Sequence, residues 1–477
     1  MLFNSIEFLL FLPTVFVLYW FVFKNQLKAQ NLLLLIVSYI FYGWWDWRFL
    51  SLIIASTFLD YFVALALQKS DNPHKRKLLL GLSLFGNLGM LGFFKYYNFF
   101  VTSWIEAWSS VGITLEASTL KIILPVGISF YTFQTLSYTI DVYRKQMEPT
   151  KSFIDFAAFV TFFPQLVAGP IERASHLLPQ FYKKRTFDYQ NGADGIKLII
   201  WGMFKKVVVA DNCAFFVNKI FENPEAFSSG ELFVGMVFFA FQIYGDFSGY
   251  SDIAIGLSKL FGFDLMVNFK FPYFSRDIAE FWRRWHISLS TWFRDYIYIP
   301  LGGSKGTQWL QIRNVMIIFL VSGFWHGANW TFIAWGLINA IYFLPLLLLQ
   351  RNRTNMETVV LQRNWESVRV FGSILMTFML SCLAWIFFRA SSISQALHYI
   401  QQIFTDQHFT SQFLKNQRYN YELLFLIAAF VVVEWNSRTQ VEPISGKYSG
   451  IKLVLCLAAI LALGTFSDYK EFIYFQF

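Results

Sequence analysis

Charge is scarce in this chain. Only 14% of its 477 residues are Asp, Glu, Lys or Arg, against ~25% in a typical soluble domain. A chain so poor in charge, and 56% hydrophobic, cannot cover a water-facing surface. That excludes a soluble globular enzyme and points to a multi-pass membrane protein. Cysteine is scarcer still. Cys213, Cys382 and Cys456 lie far apart, within or beside apolar segments. This excludes a disulfide framework and offers no metal-ligand spacing, so all three read as small core residues. No cleavable leader is expected either. Residues 1–23 have no basic n-region and no small-residue cleavage site, so the first apolar segment is expected to stay as a helix. No repeat of fixed period and no stretch suited to a soluble domain is visible, and residues 1–477 read as a single membrane domain. The net charge of +9 is not a nucleic-acid signal. Lys and Arg cluster in short loops between apolar segments, as the positive-inside rule produces.

What is present is apolar and aromatic. Aromatic residues make up 21% of the chain, with 58 Phe. Apolar segments of about the ~20 residues needed to span a bilayer run near 6–23, 31–45, 49–67, 78–100 and 119–140. The loops 69–77 and 144–151 are basic, whereas 101–118 carries Glu106 and Glu116. With Glu7 before the first segment and Lys24 and Lys28 after it, the N-terminus is expected outside the cytoplasm. Trp44, Trp45 and Trp47 form an interfacial cluster.

Segment 152–172 is apolar but broken by Pro164, Gly169 and Pro170, with basic residues on both flanks. It reads as a re-entrant element, whose non-helical backbone must be buried in protein or line a cavity. Segments near 192–215 and 231–256 follow. The second, with Gln242, Tyr244, Asp246, Ser248, Tyr250, Ser251 and Asp252, is too polar to face lipid, and reads as interhelical hydrogen-bonding or a cavity wall. Residues 259–313 form the longest basic stretch. Within it Trp282, Trp285, Leu289, Trp292 and Tyr296 recur at helical spacing, predicting one amphipathic helix lying in the membrane plane. Segments 312–350 (two helices joined near Gly327), 369–388, 421–436 and 452–466 complete an all-α fold of about twelve spans.

Six histidines occur. His74 and His176 sit in basic loops, and His398 and His408 in a polar loop, where solvated surface residues are expected. His326 differs, being deep in the apolar region 312–349. Hydrocarbon cannot satisfy an imidazole's donor and acceptor, so an ionisable group at such depth is a functional candidate, and proton transfer is the task histidine suits best. His286 lies at the edge of the apolar stripe of the amphipathic helix.

The run FWRRWHISLSTWFRDYIYIPLGGS (281–304) resembles the first signature of the membrane-bound O-acyltransferase (MBOAT) family, and SGFWHGANWT (322–331) resembles the second. PVGISFYTFQTLSYTID (125–141) and FPQLVAGPI (163–171) are similar to its bacterial branch, AlgI- and DltB-like, which acts in alginate O-acetylation and teichoic-acid D-alanylation. The resemblance covers essentially the whole chain, is closest to the alginate side, and implies several things. The helices would surround a central tunnel. His326 would be a general base helping a hydroxyl attack an acyl thioester. His286 would position the donor or move a proton. The donor, acetyl-CoA or another acyl-CoA or an acyl carrier thioester, would be a co-substrate rather than a bound cofactor, and no metal is implied. The acceptor would be an extracytoplasmic polysaccharide, reached with an esterase-like partner outside the cytoplasmic (inner) membrane. The terminal FIYFQF (472–477) resembles a relay motif in which Tyr474 would carry the acyl group in transit. A phenol, with a pKa of ~10, leaves more readily than an alkyl alcohol. An aromatic anchor is the plainer reading of that motif. D-alanyl transfer from a carrier protein, and a non-covalent transporter or flippase, remain as alternative functions.

Overall fold

The computed structural model describes residues 1–116, 118–359, 365–405, 422–440, 443–446, 448–466 and 472–473. Among the described residues every regular element is a helix, the element that satisfies its own backbone in lipid. Among the described residues five helical stretches are long and apolar enough to cross a membrane: Leu27–Gln68, Pro73–Ser109, Ser229–Leu260, Trp330–Leu348 and Ser367–Arg389. Ile6–Val22 and Ser449–Leu463 are shorter apolar helices. The all-helical, multi-pass architecture is the one expected. Leu27–Gln68 holds two of the expected segments, and other expected segments are shorter helices. Ile128–Tyr143 and Glu422–Ser437 have 16 residues each. Large apolar side chains face outward, with Phe85 79% and Leu461 81% exposed. Faces of this kind belong against lipid rather than water.

The chain divides into two compact units, residues 1–196 with 254–266, and residues 197–253 with 267–477. In the first, Ile128–Tyr143 is the most enclosed helix, with 14 buried residues. It is rich in Ser, Thr and Gln, and its polar groups meet a buried network. Asp60 accepts from Ser83, from Asn87 Nδ2 at 2.7 Å and from Thr139 Oγ1 at 2.8 Å. Such bonds hold helices together where hydrocarbon gives no hydrophobic drive. The expected span at 119–140 begins later than its apolar run suggests. Helix starts only at Ile128, because Gly127 is left-handed (φ 76°) and Pro125 cannot donate to a helix. A Cβ on Gly127 would also lie 2.9 Å from the Leu166 carbonyl oxygen.

Segment 152–172 has the broken and buried backbone expected of it. Phe153–Thr161 is helical, residues 162–172 are not, and 156–172 are buried throughout. Protein groups satisfy this backbone. Ser38 Oγ accepts from the Phe163 N–H at 3.1 Å, and Gln134 Nε2 donates to the Phe159 carbonyl at 2.7 Å. His176 departs from the expectation of a solvated surface residue. Its Nδ1 lies 2.7 Å from the fully buried Glu172 carboxylate and its Nε2 lies 3.8 Å from Asp264. Glu172 also accepts from the Met266 N–H at 2.6 Å.

In the second unit, Gln308–His326 and Trp330–Leu348 form the expected helical hairpin. The two backbones meet at Gly323 and Gly336, whose Cα atoms come so close that a Cβ on either would lie 2.3 Å from a carbonyl oxygen of the facing helix. The single amphipathic helix expected through Trp282–Tyr296 is instead two short helices, Ile278–Arg284 and Ile287–Phe293, followed by a π-turn at Arg294–Tyr298. The chain breaks at His286, which is left-handed (φ 45°). The extended segment beside it takes up the backbone groups: Ile287 N–H donates to Asn268 O at 2.9 Å, and Lys270 N–H to Arg284 O at 3.0 Å.

Candidate active site

His326 is the last residue of the Gln308–His326 helix. It is buried, 3% exposed, in a cage of rings. Centroid distances are 4.9 Å to Trp325, 5.0 Å to Trp335 and 5.3 Å to Phe388. The hairpin puts it there, since Gly327 leaves the helix in an extended conformation and Asn329 caps the return helix by accepting from the Thr331 N–H at 2.9 Å.

His286 lies 6.4 Å from His326 between ring centroids. The two histidines, forty positions apart in sequence, are thus brought together. His286 is fully enclosed, not poised at the edge of an apolar stripe. Its ring meets Phe247 at 4.6 Å and Trp325 at 5.9 Å. A non-glycine residue in the left-handed region costs on the order of 1–3 kcal/mol, and such positions cluster at functional sites. Burial pushes the His286 imidazole down to about 3, so the ring is neutral near pH 7.

Asn268 orients this ring, though in the sequence it is only a polar residue in a basic loop. Its Oδ1 lies 3.1 Å from His286 Nδ1 and accepts from Ser288 Oγ at 2.9 Å. Its Nδ2 donates to Ser251 Oγ at 3.3 Å. With Oδ1 as the acceptor, Nδ1 carries the imidazole proton and Nε2 is the basic nitrogen. Ser251 belongs to the polar helix Ser229–Leu260, so part of that polarity serves to hold His286.

A cavity of about 240 Å³ is lined by Trp282, Phe293, Arg294, Ser322 and Arg353 among others, and by neither histidine. Ser322 is one helical turn before His326. Trp282 packs on Trp335 at 5.6 Å, and Trp335 packs on His326, so one layer of rings parts this space from the histidine. Its lining residues include two arginines and no carboxylate, a balance that suits an anionic ligand, although the Arg294 guanidinium is already paired with Asp295 at 2.7 Å. Among the described residues no cluster of His, Cys, Asp and Glu is placed to hold a metal ion.

The other histidines lie elsewhere. His74 is exposed near a helix N-terminus, His398 is exposed 3.9 Å from Glu225, and His408 falls outside the described residues. Tyr474 also falls outside them. Its neighbours Phe472 and Ile473 are described and buried.

The profile described as MBOAT, membrane-bound O-acyltransferase family, matches residues 144–388. Over 438 residues the chain is 39% identical to "Probable alginate O-acetylase AlgI" of Azotobacter vinelandii, covering 91% of this chain and 84% of that protein. It is 38% identical to the "Peptidoglycan O-acetyltransferase" of Helicobacter pylori, over 83% of this chain and 78% of that protein. The "Teichoic acid D-alanyltransferase" of Streptococcus thermophilus is 31% identical over 45% of this chain and 55% of that protein. The matched region contains both histidines of the pair, and covalent transfer sets aside the transporter reading. The chain belongs to the membrane-bound O-acyltransferase family and is an O-acyltransferase.

Proposed function

We propose that this enzyme moves an acetyl group from a cytoplasmic thioester, acetyl-CoA or a similar donor, across the bacterial cytoplasmic membrane toward an extracytoplasmic polysaccharide. The observation that carries this reading is the pairing of two buried imidazoles 6.4 Å apart, with a cavity that has Arg294 and Arg353 in its lining one layer of rings away from His326. The guanidiniums suit the phosphates of an acyl-CoA, and the aromatic and aliphatic walls suit its uncharged arm. Relatives named for O-acetylation align over most of the chain, whereas the D-alanyltransferase aligns over 45% of it. That contrast favours acetyl over D-alanyl.

His326 acts as general base. It takes the proton of an acceptor hydroxyl as that oxygen attacks the thioester carbonyl. A C–O bond forms, the C–S bond breaks, and the departing thiolate takes up the proton from the imidazolium, leaving an ester and a free thiol. The acceptor hydroxyl is the Tyr474 phenol, which then passes the acetyl group to the polymer with an esterase-like partner outside. His286, held by Asn268, positions the donor.

The test is incubation of purified protein with labelled acetyl-CoA, followed by mass spectrometry. Wild-type protein should carry acetyl as an alkali-labile ester on its C-terminal peptide. His326→Ala should keep its fold in detergent but lose transfer by at least ~100-fold, the scale of general-base catalysis. Near-normal transfer by this variant would remove His326 from the mechanism.

A further inference from the structure

The acyltransfer reading makes no use of a buried ionic cluster in the second unit. Lys206 Nζ lies 2.6 Å from Asp246 Oδ1 and 2.9 Å from Asp211 Oδ1. All three residues are under 5% exposed. A cluster of this kind is a poor way to gain stability, since apolar side chains of the same volume usually serve as well or better. Its attested use is to specify one arrangement among several.

Here it meets Phe472 and Ile473, near the chain's end. The second oxygen of Asp246 accepts from the Ile473 N–H at 2.6 Å. The Lys206 ammonium lies over the Phe472 ring at 4.3 Å, and Tyr250 meets the same ring edge-on at 4.6 Å. Upstream, the π-turn Phe204–Ala210 that carries Lys206 anchors the approach to the tail. Val207 O accepts from the Thr465 N–H at 3.1 Å, and Asn212 Nδ2 donates to Leu463 O at 3.0 Å. Isolated π-turns of this kind are frequent at functional sites. Apolar burial alone would let the tail slide, but one carboxylate oxygen bound to one amide fixes its register.

The same two turns of the Ser229–Leu260 helix serve both the tail and the histidine pair. Asp246 and Tyr250, four residues apart, hold Phe472 and Ile473. Phe247 and Ser251, on the next stripe, hold His286 directly and through Asn268. Residues 246–251 span only ~7.5 Å of helix axis.

We infer that Asp246 and Lys206 are positioning residues, forming a socket that holds the C-terminal segment in one register alongside His286 for acyl transfer. This rests on the proposal that the terminal motif takes part in transfer, so docking and transfer are measured separately. Docking is read by carboxypeptidase digestion of the full-length protein in detergent, with the C-terminus followed by mass spectrometry. Transfer is read as kcat and KM for acetyl-CoA.

Asp246→Asn keeps the side chain's shape and leaves Lys206 paired one-to-one with Asp211. It should release the tail to digestion at least tenfold faster and lower kcat at least tenfold, with KM for acetyl-CoA unchanged. Asp246→Glu should restore part of both. Should Asp246→Asn fail to fold, Phe472→Ala leaves the ionic cluster whole and should release the tail in the same way. A tail equally protected in the folded variants would overturn the socket. A released tail with unchanged kcat, while Tyr474→Phe blocks transfer, would overturn its positioning role. Normal transfer by Tyr474→Phe would sink the relay reading instead, and digestion would still decide the socket.

Discussion

At the scale of single residues, the consequential feature is a histidine in a backbone conformation that side chains rarely adopt. His286 at φ 45° turns its ring inward toward His326, and Asn268 holds it there. Removing Asn268 leaves the buried His286 and Ser288 donors without that acceptor, at about 1–3 kcal/mol for a group so stranded. His286→Ala should raise KM for acetyl-CoA more than it lowers kcat, and Asn268→Ala should show the same split to a smaller degree. Steady-state kinetics in detergent would check this, and a defect confined to use of the acceptor would contradict donor positioning. His326 and His286 were both legible in the sequence, because an imidazole in an apolar or aromatic run carries its own polar cost. Asn268 was not, because the bond that gives it meaning joins residues 18 positions apart in a loop with no periodicity.

At the scale of elements, patterning located the helices better than their breaks. The hairpin Gln308–Leu348 was readable from two apolar runs around Gly327. The single helix through Trp282–Tyr296 was a misreading, because ring spacing continues across a break that no Gly or Pro marks. The opposite holds at residues 119–140, where Pro125 and Gly127 stood in the sequence as a helix stop and the apolar run outweighed them. His176 joins the short helix Ala174–Leu177 to the Asp264–Met266 segment, and this junction is sensitive to pH. The Asp264 and Glu172 carboxylates beside its two ring nitrogens raise the imidazole to about 10 from an ordinary 6.5. A folded-state pKa above the unfolded one stabilises fully below pH ~6.5, and the effect is lost as pH rises through about 10. The difference in Tm between wild type and His176→Gln should therefore be larger at pH 6 than at pH 10. A difference that does not vary with pH would show that His176 is not charged in the fold.

At the scale of the whole molecule, a minority of the scarce charges, Asp60, Glu172, Lys206, Asp246 and Glu434 among them, is enclosed by protein. The apolar window of Ser229–Leu260, the helix of the tail socket, is 78% buried, against 17% for Pro73–Ser109. Helices in this chain thus differ widely in how much of themselves they bury, and this bears on how the chain enters a membrane during synthesis. Trp330–Leu348 is apolar enough to cross by itself, whereas Gln308–His326, with Arg313, Asn314 and His326, is not among the helices that meet that measure. A charged group such as Arg313 costs up to about 2.5–3.5 kcal/mol for a helix inserting alone, and the polar Asn314 and His326 add to that. The close backbone contact at Gly323 and Gly336 lets the second helix shelter the first, so the insertion machinery should accept the two only as a pair. Nascent chains ending before Trp330 and fused to a topology reporter should fail to retain Gln308–His326, and chains extended through Leu348 should retain it; stable retention of the first helix alone would contradict paired entry. The catalytic candidate His326 would then reach its place only after the ribosome has made its neighbour, so that a half-made enzyme never exposes the histidine to lipid.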